Sequence, residues 1–187
     1  TMADEGTDFV NPPVPGGELP TSRSMIFVAP DGERSMNTYL GISSELGPDD
    51  VSDAVAGSAE ILFLEGYLYD KPKGKQAFER AVELCHRAGG KAGIALSDPF
   101  CVDRHRAEFL ELAESRIDIL FANEAEILSL YEVDTFEEAA ERVAGHCEIA
   151  CLTRSEKGSV VITAAGERIE VPAHPTDVVD TTGAGDL

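Results

Sequence analysis

Glu60-Ile61-Leu62-Phe63-Leu64, closed by Gly66, is the stretch on which the fold turns. A continuous apolar run of this length, bounded by a turn residue, reads as a buried strand. Pro72 then opens a helix to about Ala88, with Ala77, Phe78, Ala81, Val82, Leu84 and Cys85 at helical spacing, and Gly89-Gly90 stops it. Lys91 to Leu96 is the next strand and ends in Ser97-Asp98-Pro99. A second helix is expected from about Val102 to Ser115, and then a strand at Ile117-Asp118-Ile119-Leu120-Phe121. Strand and helix alternating at this interval specify a parallel sheet with helices on its faces. In such sheets ligands collect beyond the C-terminal strand ends.

Upstream, Asp49-Asp50 supply an N-cap and first-turn acids for a short helix through Gly57. Residues 7–20 carry Pro12, Pro13, Pro15 and Pro20 with Gly16 and Gly17, an extended loop. Ser22 to Ala29 and Arg34 to Gly41 read as two strands of a hairpin around Pro30-Asp31-Gly32-Glu33. The second strand is weakly hydrophobic, which suits an edge or a lid. Downstream, Thr135 caps a helix to about Gly145. Strands at 148–153, 159–163 and 168–171 look like antiparallel additions at the sheet edge.

Two strand-end groups stand out. Asn123 and Glu126 are one helical turn apart, so both side chains meet at one end of the helix after strand 117–121. An amide and a carboxylate there suit hydrated magnesium and phosphates. The same spacing equally makes a capping box, with Asn123 as N-cap and Glu126 at N3. Asp98, between a buried strand and a helix, either caps that helix or lies near phosphates.

The last eight residues are Asp180-Thr181-Thr182-Gly183-Ala184-Gly185-Asp186-Leu187. Gly183 and Gly185 let backbone N–H groups approach an anion closely, and a helix starting there would add positive potential. A carboxylate would repel a phosphate in such a nest unless it had another task. Asp186 makes sense as a base that takes a proton from a hydroxyl while the Gly183-Ala184-Gly185 amides hold developing charge. The alternative is a glycine turn capping a helix, with Asp186 solvated. Other phosphate motifs fail. Gly74-Lys75 is followed by Gln76, and Tyr69 stands where a Walker A loop needs glycine. Gly183-Ala184-Gly185 lacks the third glycine of a dinucleotide fingerprint.

With 35 acidic against 15 basic residues, the net charge is −20, which argues against nucleic acid or an anionic membrane as a partner. A nucleotide needs only a local positive pocket. No apolar run reaches the roughly 18 residues of a membrane span. Cys85, Cys101, Cys147 and Cys151 form no CxxC pair and read as reduced, buried thiols. A cytoplasmic protein is the default expectation.

Asp-Thr-Thr-Gly-Ala-Gly-Asp at 180–186, preceded by Asn-x-x-Glu at 123–126, resembles the signatures of the ribokinase-like carbohydrate kinases, the PfkB family. Thr153 to Gly158 is similar to that family's Thr-x-Gly-x-x-Gly loop, with Ser155 where the first glycine is usual. The resemblance covers nearly the whole chain. It implies an α/β fold of three layers (α/β/α), with a largely parallel sheet and a small β lid. Residues 1–187 would form a single domain, incomplete at both ends, with the lid segment within 8–41. It further implies an ATP-dependent kinase acting on a primary hydroxyl of a nucleoside, adenosine-like, or of a sugar. Asp186 would be the base, with Gly183, Ala184 and Gly185 as the anion hole. Asn123, Glu126, Thr153, Ser155, Gly158 and Thr181 would border nucleotide and phosphates, with Mg2+ reached by Glu126 through water. Arg34 of the lid and Asp98 are weaker substrate or phosphate candidates. Partners would be small molecules rather than nucleic acid or membrane, and a homodimer is one assembly open to it. The competing reading is a non-catalytic nucleotide- or sugar-binding protein that keeps the fold.

Overall fold

A computed structural model describes residues 2–30 and 34–177. Residues 31–33, expected to turn, and the terminal stretch lie outside the described residues, and with them the readings of Thr181, Gly183, Ala184, Gly185 and Asp186. The chain falls into two units, one holding residues up to Leu46 and the other Gly47–His174.

In the first unit, residues 7–20 have neither helix nor strand. Strands β1 (Arg23–Val28) and β2 (Arg34–Tyr39) then pair antiparallel, from Arg23 opposite Tyr39 to Val28 opposite Arg34. Ser24 and Thr38 hydrogen-bond across the pair at 2.8 Å. Both strands are exposed apart from half-buried Arg34, although they carry Met25, Ile26, Phe27, Val28 and Met36. The expected hairpin is therefore present and poorly buried.

The second unit runs α1 (Asp53–Ala56), β3 (Ile61–Glu65), α2 (Pro72–Arg87), β4 (Lys91–Ala95), α3 (Pro99–Ser115), β5 (Ile119–Asn123), α4 (Glu124–Tyr131), α5 (Phe136–Val143), β6 (Ile149–Thr153), β7 (Ser159–Thr163) and β8 (Arg168–Val171). The strands form one sheet in the order β3-β4-β5-β6-β7-β8. The pairs from β3 to β6 are parallel, and β7 and β8 add on antiparallel. Ile94, Leu120, Leu152, Val160 and Ile162 of the sheet share one core with Phe78, Phe109, Ile127 and Leu130 of the helices. Gly89-Gly90 ends α2 as expected, and Thr135 caps α5 by accepting from the Glu138 N–H.

Four expectations need adjustment. Strand β3 is not buried throughout: Leu62 and Leu64 pack on the core, while Ile61 and Phe63 are 62% and 52% exposed. Among the described residues it pairs with β4 alone, and its burial alternates along the strand, so the apolar run spans two unlike faces. The helix expected over 49–57 is broken. Pro48–Asp50 makes a single 3-10 turn, and Ser52 restarts the chain as the N-cap of α1. Helix α3 begins at Pro99, because Asp98 caps it and proline suits the first turn. Strand β5 starts two residues late, since the Asp118 carboxylate is used to accept from the Ala92 N–H at 2.7 Å.

Cys85, Cys101 and Cys147 are buried and Cys151 half-buried. Burial pushes all four thiols up, Cys101 to about 12, which keeps them protonated and unreactive. Among the described residues no helix is long and apolar enough to cross a membrane.

Candidate active site

Parallel pairing brings the C-terminal ends of β5 and β6 side by side, with Asn123 opposite Thr153. The two strands lead into different structures. After β5 the chain enters α4 through a complete capping box. The Glu126 N–H donates to Asn123 Oδ1 at 2.9 Å, and the Asn123 N–H donates to Glu126 Oε2 at 2.8 Å. Asn123 Nδ2 also donates to Glu126 Oε1 at 2.7 Å. The capping geometry is thus realised, and both carboxylate oxygens are already engaged.

That cap does not account for everything at Glu126. Among the described residues it is the one charged side chain that is buried, at 6% exposure. Burial, followed by the Asp98 and Glu65 carboxylates, raises its pKa against the opposing hydrogen bond from Asn123. Glu65 ends β3, Asp98 follows β4 and Glu126 follows β5, so each carboxylate lies at or just beyond the C-terminal end of a strand. A carboxylate retains further lone pairs after two hydrogen bonds, so Glu126 can still accept from water.

Asp98 sits between β4 and α3 and accepts from the Cys101 N–H at 2.7 Å. It is reached through Ser97, whose backbone is left-handed at φ 76. Side chains hold that conformation in place. Ser97 Oγ donates to Glu65 Oε2 at 3.1 Å and accepts from the Tyr67 N–H at 3.2 Å. The Tyr67 hydroxyl lies 3.5 Å from the Ser97 carbonyl oxygen, and its pKa is raised by burial first and the Asp98 carboxylate next. Glu65, Tyr67 and Ser97 had no signal in the sequence, because their contacts cross between strands.

After β6, the turn from Arg154 to Gly158 closes on itself. The Arg154 N–H donates to the Gly158 carbonyl at 2.7 Å, and the Gly158 N–H to the Ser155 carbonyl at 3.0 Å. Ser155 has φ 52 and Gly158 φ 87. A Cβ on Gly158 would lie 2.1 Å from the Val171 carbonyl oxygen, so only glycine fits there. Ser155 occupies a conformation that glycine adopts without strain, the physical reason a glycine is at home in that position.

The structure therefore gathers Asn123, Glu126, Thr153, Ser155 and Gly158 at neighbouring strand ends, with Asp98 beside Glu126. Arg34 belongs to the other unit, on β2. Elsewhere, Asp70, Cys101 and His105 offer three ligand atoms within 4.8 Å of one another. Their donor types would suit zinc. Asp70, however, is already held by Arg104 Nε and Nη2 at 3.1 and 2.9 Å and by His105 Nε2 at 2.9 Å. That trio is a satisfied ion-pair network rather than a vacant donor set.

Comparison with known proteins bears on the fold and the family. The chain aligns with adenosine kinase from Sinorhizobium meliloti at 49% identity and a TM-score of 0.92, over 99% of this chain and 57% of that one. It aligns with a probable sugar kinase protein from Rhizobium etli at 52% identity and a TM-score of 0.88, over 93% and 53%. Cytidine kinase from Thermococcus kodakarensis is 30% identical over 112 residues, 58% of this chain and 40% of that protein. Bifunctional protein HldE from Rhodopseudomonas palustris is 40% identical over 82 residues, 44% of this chain and 14% of that protein. The chain thus spans little more than half of the solved relatives and less of the curated ones. The α/β sheet is theirs, and the pfkB family carbohydrate kinase model matches residues 13–187. With nearly its whole length matched in this way, the chain belongs to the pfkB family of carbohydrate kinases.

Proposed function

We propose that the protein is an ATP-dependent phosphotransferase acting on a hydroxyl of a nucleoside or sugar, with adenosine the first acceptor to test. The observation that carries this reading is the pairing of the Asn123–Glu126 cap with the Thr153–Gly158 turn across adjacent parallel strands. The 49% identity to an adenosine kinase favours a nucleoside, and the 52% identity to a probable sugar kinase keeps sugars on the panel.

In this reading the turn offers backbone N–H groups and close approach to a phosphate chain. Asn123 fixes Glu126 in one rotamer, and Glu126 fixes a water shell at the strand ends. Hard oxygen donors suit magnesium, and Glu126 offers a carboxylate that would reach it through water. Magnesium, when bound, supplies charge neutralisation for the phosphates. Asp186 takes the proton from the acceptor hydroxyl, and the amides of Gly183, Ala184 and Gly185 receive the developing charge. Thr181 contributes its hydroxyl to the phosphates. Such a reaction needs positioning and charge stabilisation, not a covalent intermediate.

The test is ADP release by the full-length protein with Mg-ATP and a panel of adenosine, cytidine, other nucleosides, ribose and fructose. Turnover on a panel member that falls about 10²–10⁴-fold in Asp186→Asn supports both reaction and base. Binding of ATP without turnover on any acceptor points to the non-catalytic alternative. Undiminished turnover in the variant removes Asp186 from its role.

A further inference from the structure

We propose that Arg154, paired with Glu124 and stacked on Phe136, is a positioning residue that sets the spacing between the two segments bordering the nucleotide. The proposal rests on the phosphotransferase reading above.

Glu124 comes directly after Asn123 at the end of β5, and Arg154 directly after Thr153 at the end of β6, so in-register pairing places them side by side. Arg154 Nη2 lies 3.1 Å from Glu124 Oε1, and Lys157 Nζ lies 3.5 Å from Glu124 Oε2. One carboxylate on α4 is thus clasped by two cations of a single turn. The Arg154 guanidinium also lies over the Phe136 ring, 3.8 Å from its centroid. Phe136 is the buried first residue of α5. A single side chain therefore joins the β6–β7 turn to the N-termini of two helices.

The elements it joins do not need it to form. The Asn123–Glu126 box already caps α4, and Thr135 caps α5. The turn is already closed by backbone hydrogen bonds. What the contact adds is the placement of the turn relative to Asn123 and Glu126. Its setting supports this. The Arg154 and Glu124 side chains are 19% and 29% exposed, against 66% and 68% for the local Arg87–Glu83 pair. A shielded guanidinium on an aromatic face is held in one orientation, and lysine cannot reproduce the planar contact.

The experiment is steady-state kinetics of the full-length protein with Mg-ATP and whichever acceptor turns over, on wild type, Arg154→Ala, Arg154→Lys, Glu124→Gln and the Arg154→Ala/Glu124→Gln double variant. A thermal melt accompanies each, and Arg87→Ala is the control. We expect the KM for ATP to rise about 3- to 30-fold in Arg154→Ala and in Glu124→Gln, with the acceptor KM unchanged. The double variant should be no worse than the more affected single one. Arg154→Lys should recover part of the loss, and Arg87→Ala should behave as wild type. A folded Arg154→Ala with unchanged ATP KM, or single effects that multiply in the double variant, would overturn the proposal. If Arg154→Ala does not fold, Glu124→Gln alone decides, since it keeps the α4 cap. A wild type that neither binds nor turns over Mg-ATP would sink the phosphotransferase reading and this proposal together. Wild-type turnover with indifferent variants sinks this proposal alone.

Discussion

The second unit carries two charged clusters built from the same parts, each set against aromatic rings. In one, Asp70, Arg104, His105, Glu108 and Lys75 lie against Tyr69, whose ring meets Phe78, Phe109 and His105 edge-on. In the other, Glu124, Arg154 and Lys157 lie beside Phe136, with Arg168 5.8 Å from the same ring and paired to Glu137. The first cluster ties the segment after β3 to α2 and α3. The second ties strand-end turns to helix N-termini. Identical chemistry should then read out differently: damage to the first in stability, damage to the second in nucleotide binding.

The largest expected effect comes from removing the aromatic floor of the first cluster. Phe109 is fully buried, its ring 5.2 Å from Tyr69 and 5.9 Å from His105. Phe109→Ala should cost about 3–5 kcal/mol of unfolding free energy, since the cavity cannot collapse against a packed sheet. Urea unfolding measures it. Material that remains folded should keep its ATP KM. A raised KM would mean that the two clusters are coupled and the division is wrong.

Next is the backbone beneath the second cluster. Gly158→Ala places a methyl carbon 2.1 Å from the Val171 carbonyl in a left-handed backbone, so either the turn or β8 must move. We expect a loss of about 2–3 kcal/mol by urea unfolding, with a weaker ATP affinity. The comparison sharpens if the affinity falls more than stability does.

These two sites also show how far the sequence could be read. Helices α2 and α5 and the parallel order were legible because their signals are local: apolar spacing, Pro72, Gly89-Gly90 and the Thr135 cap. The pairing of Asn123 with Glu126 was legible because a capping box lies within four residues. The exposure of Ile61 and Phe63 on β3 was not legible, because an apolar run does not reveal what covers each face of a strand. Neither cluster was legible. Arg104 is 34 positions from Asp70, and Arg154 is 30 positions from Glu124. Such pairs exist only once the strands are in register. The left-handed Ser97 is hidden for the opposite reason, since serine gives no warning of a positive φ, whereas Ser155 stood where a glycine is usual and so carried a hint.

Acidification separates the clusters at a smaller scale. Burial alone would raise the Asp70 carboxyl, but hydrogen bonds from His105 and Arg104 outweigh it and hold it below its usual range. A carboxylate lowered on folding stabilises the protein above its unfolded pKa, and that share is lost as pH falls through the folded value. Asp70→Asn should therefore cost at most about 1 kcal/mol at pH 7, and the gap to wild type should close at low pH. Thermal melts from pH 7 to pH 2 test this. A gap that persists at the acid end would assign the loss to packing rather than charge.

The smallest effects set the two left-handed serines against each other. Ser97, at φ 76, makes side-chain hydrogen bonds to Glu65 and to the Tyr67 N–H. Ser155, at φ 52, sits in a turn closed by backbone hydrogen bonds, and its side chain hydrogen-bonds the exposed Glu156, a contact worth little in water. Glycine relieves about 1–2 kcal/mol of left-handed strain at either position and costs about 0.5–1 kcal/mol in unfolded-chain entropy. At Ser155 those terms leave a small gain, so Ser155→Gly should raise the melting temperature by a few degrees or less with ATP KM unchanged. At Ser97 the same change also deletes two hydrogen bonds worth about 1 kcal/mol each, so Ser97→Gly should lower it. Equal shifts in the two variants would show that the Glu65–Ser97–Tyr67 contacts do not hold that turn in place.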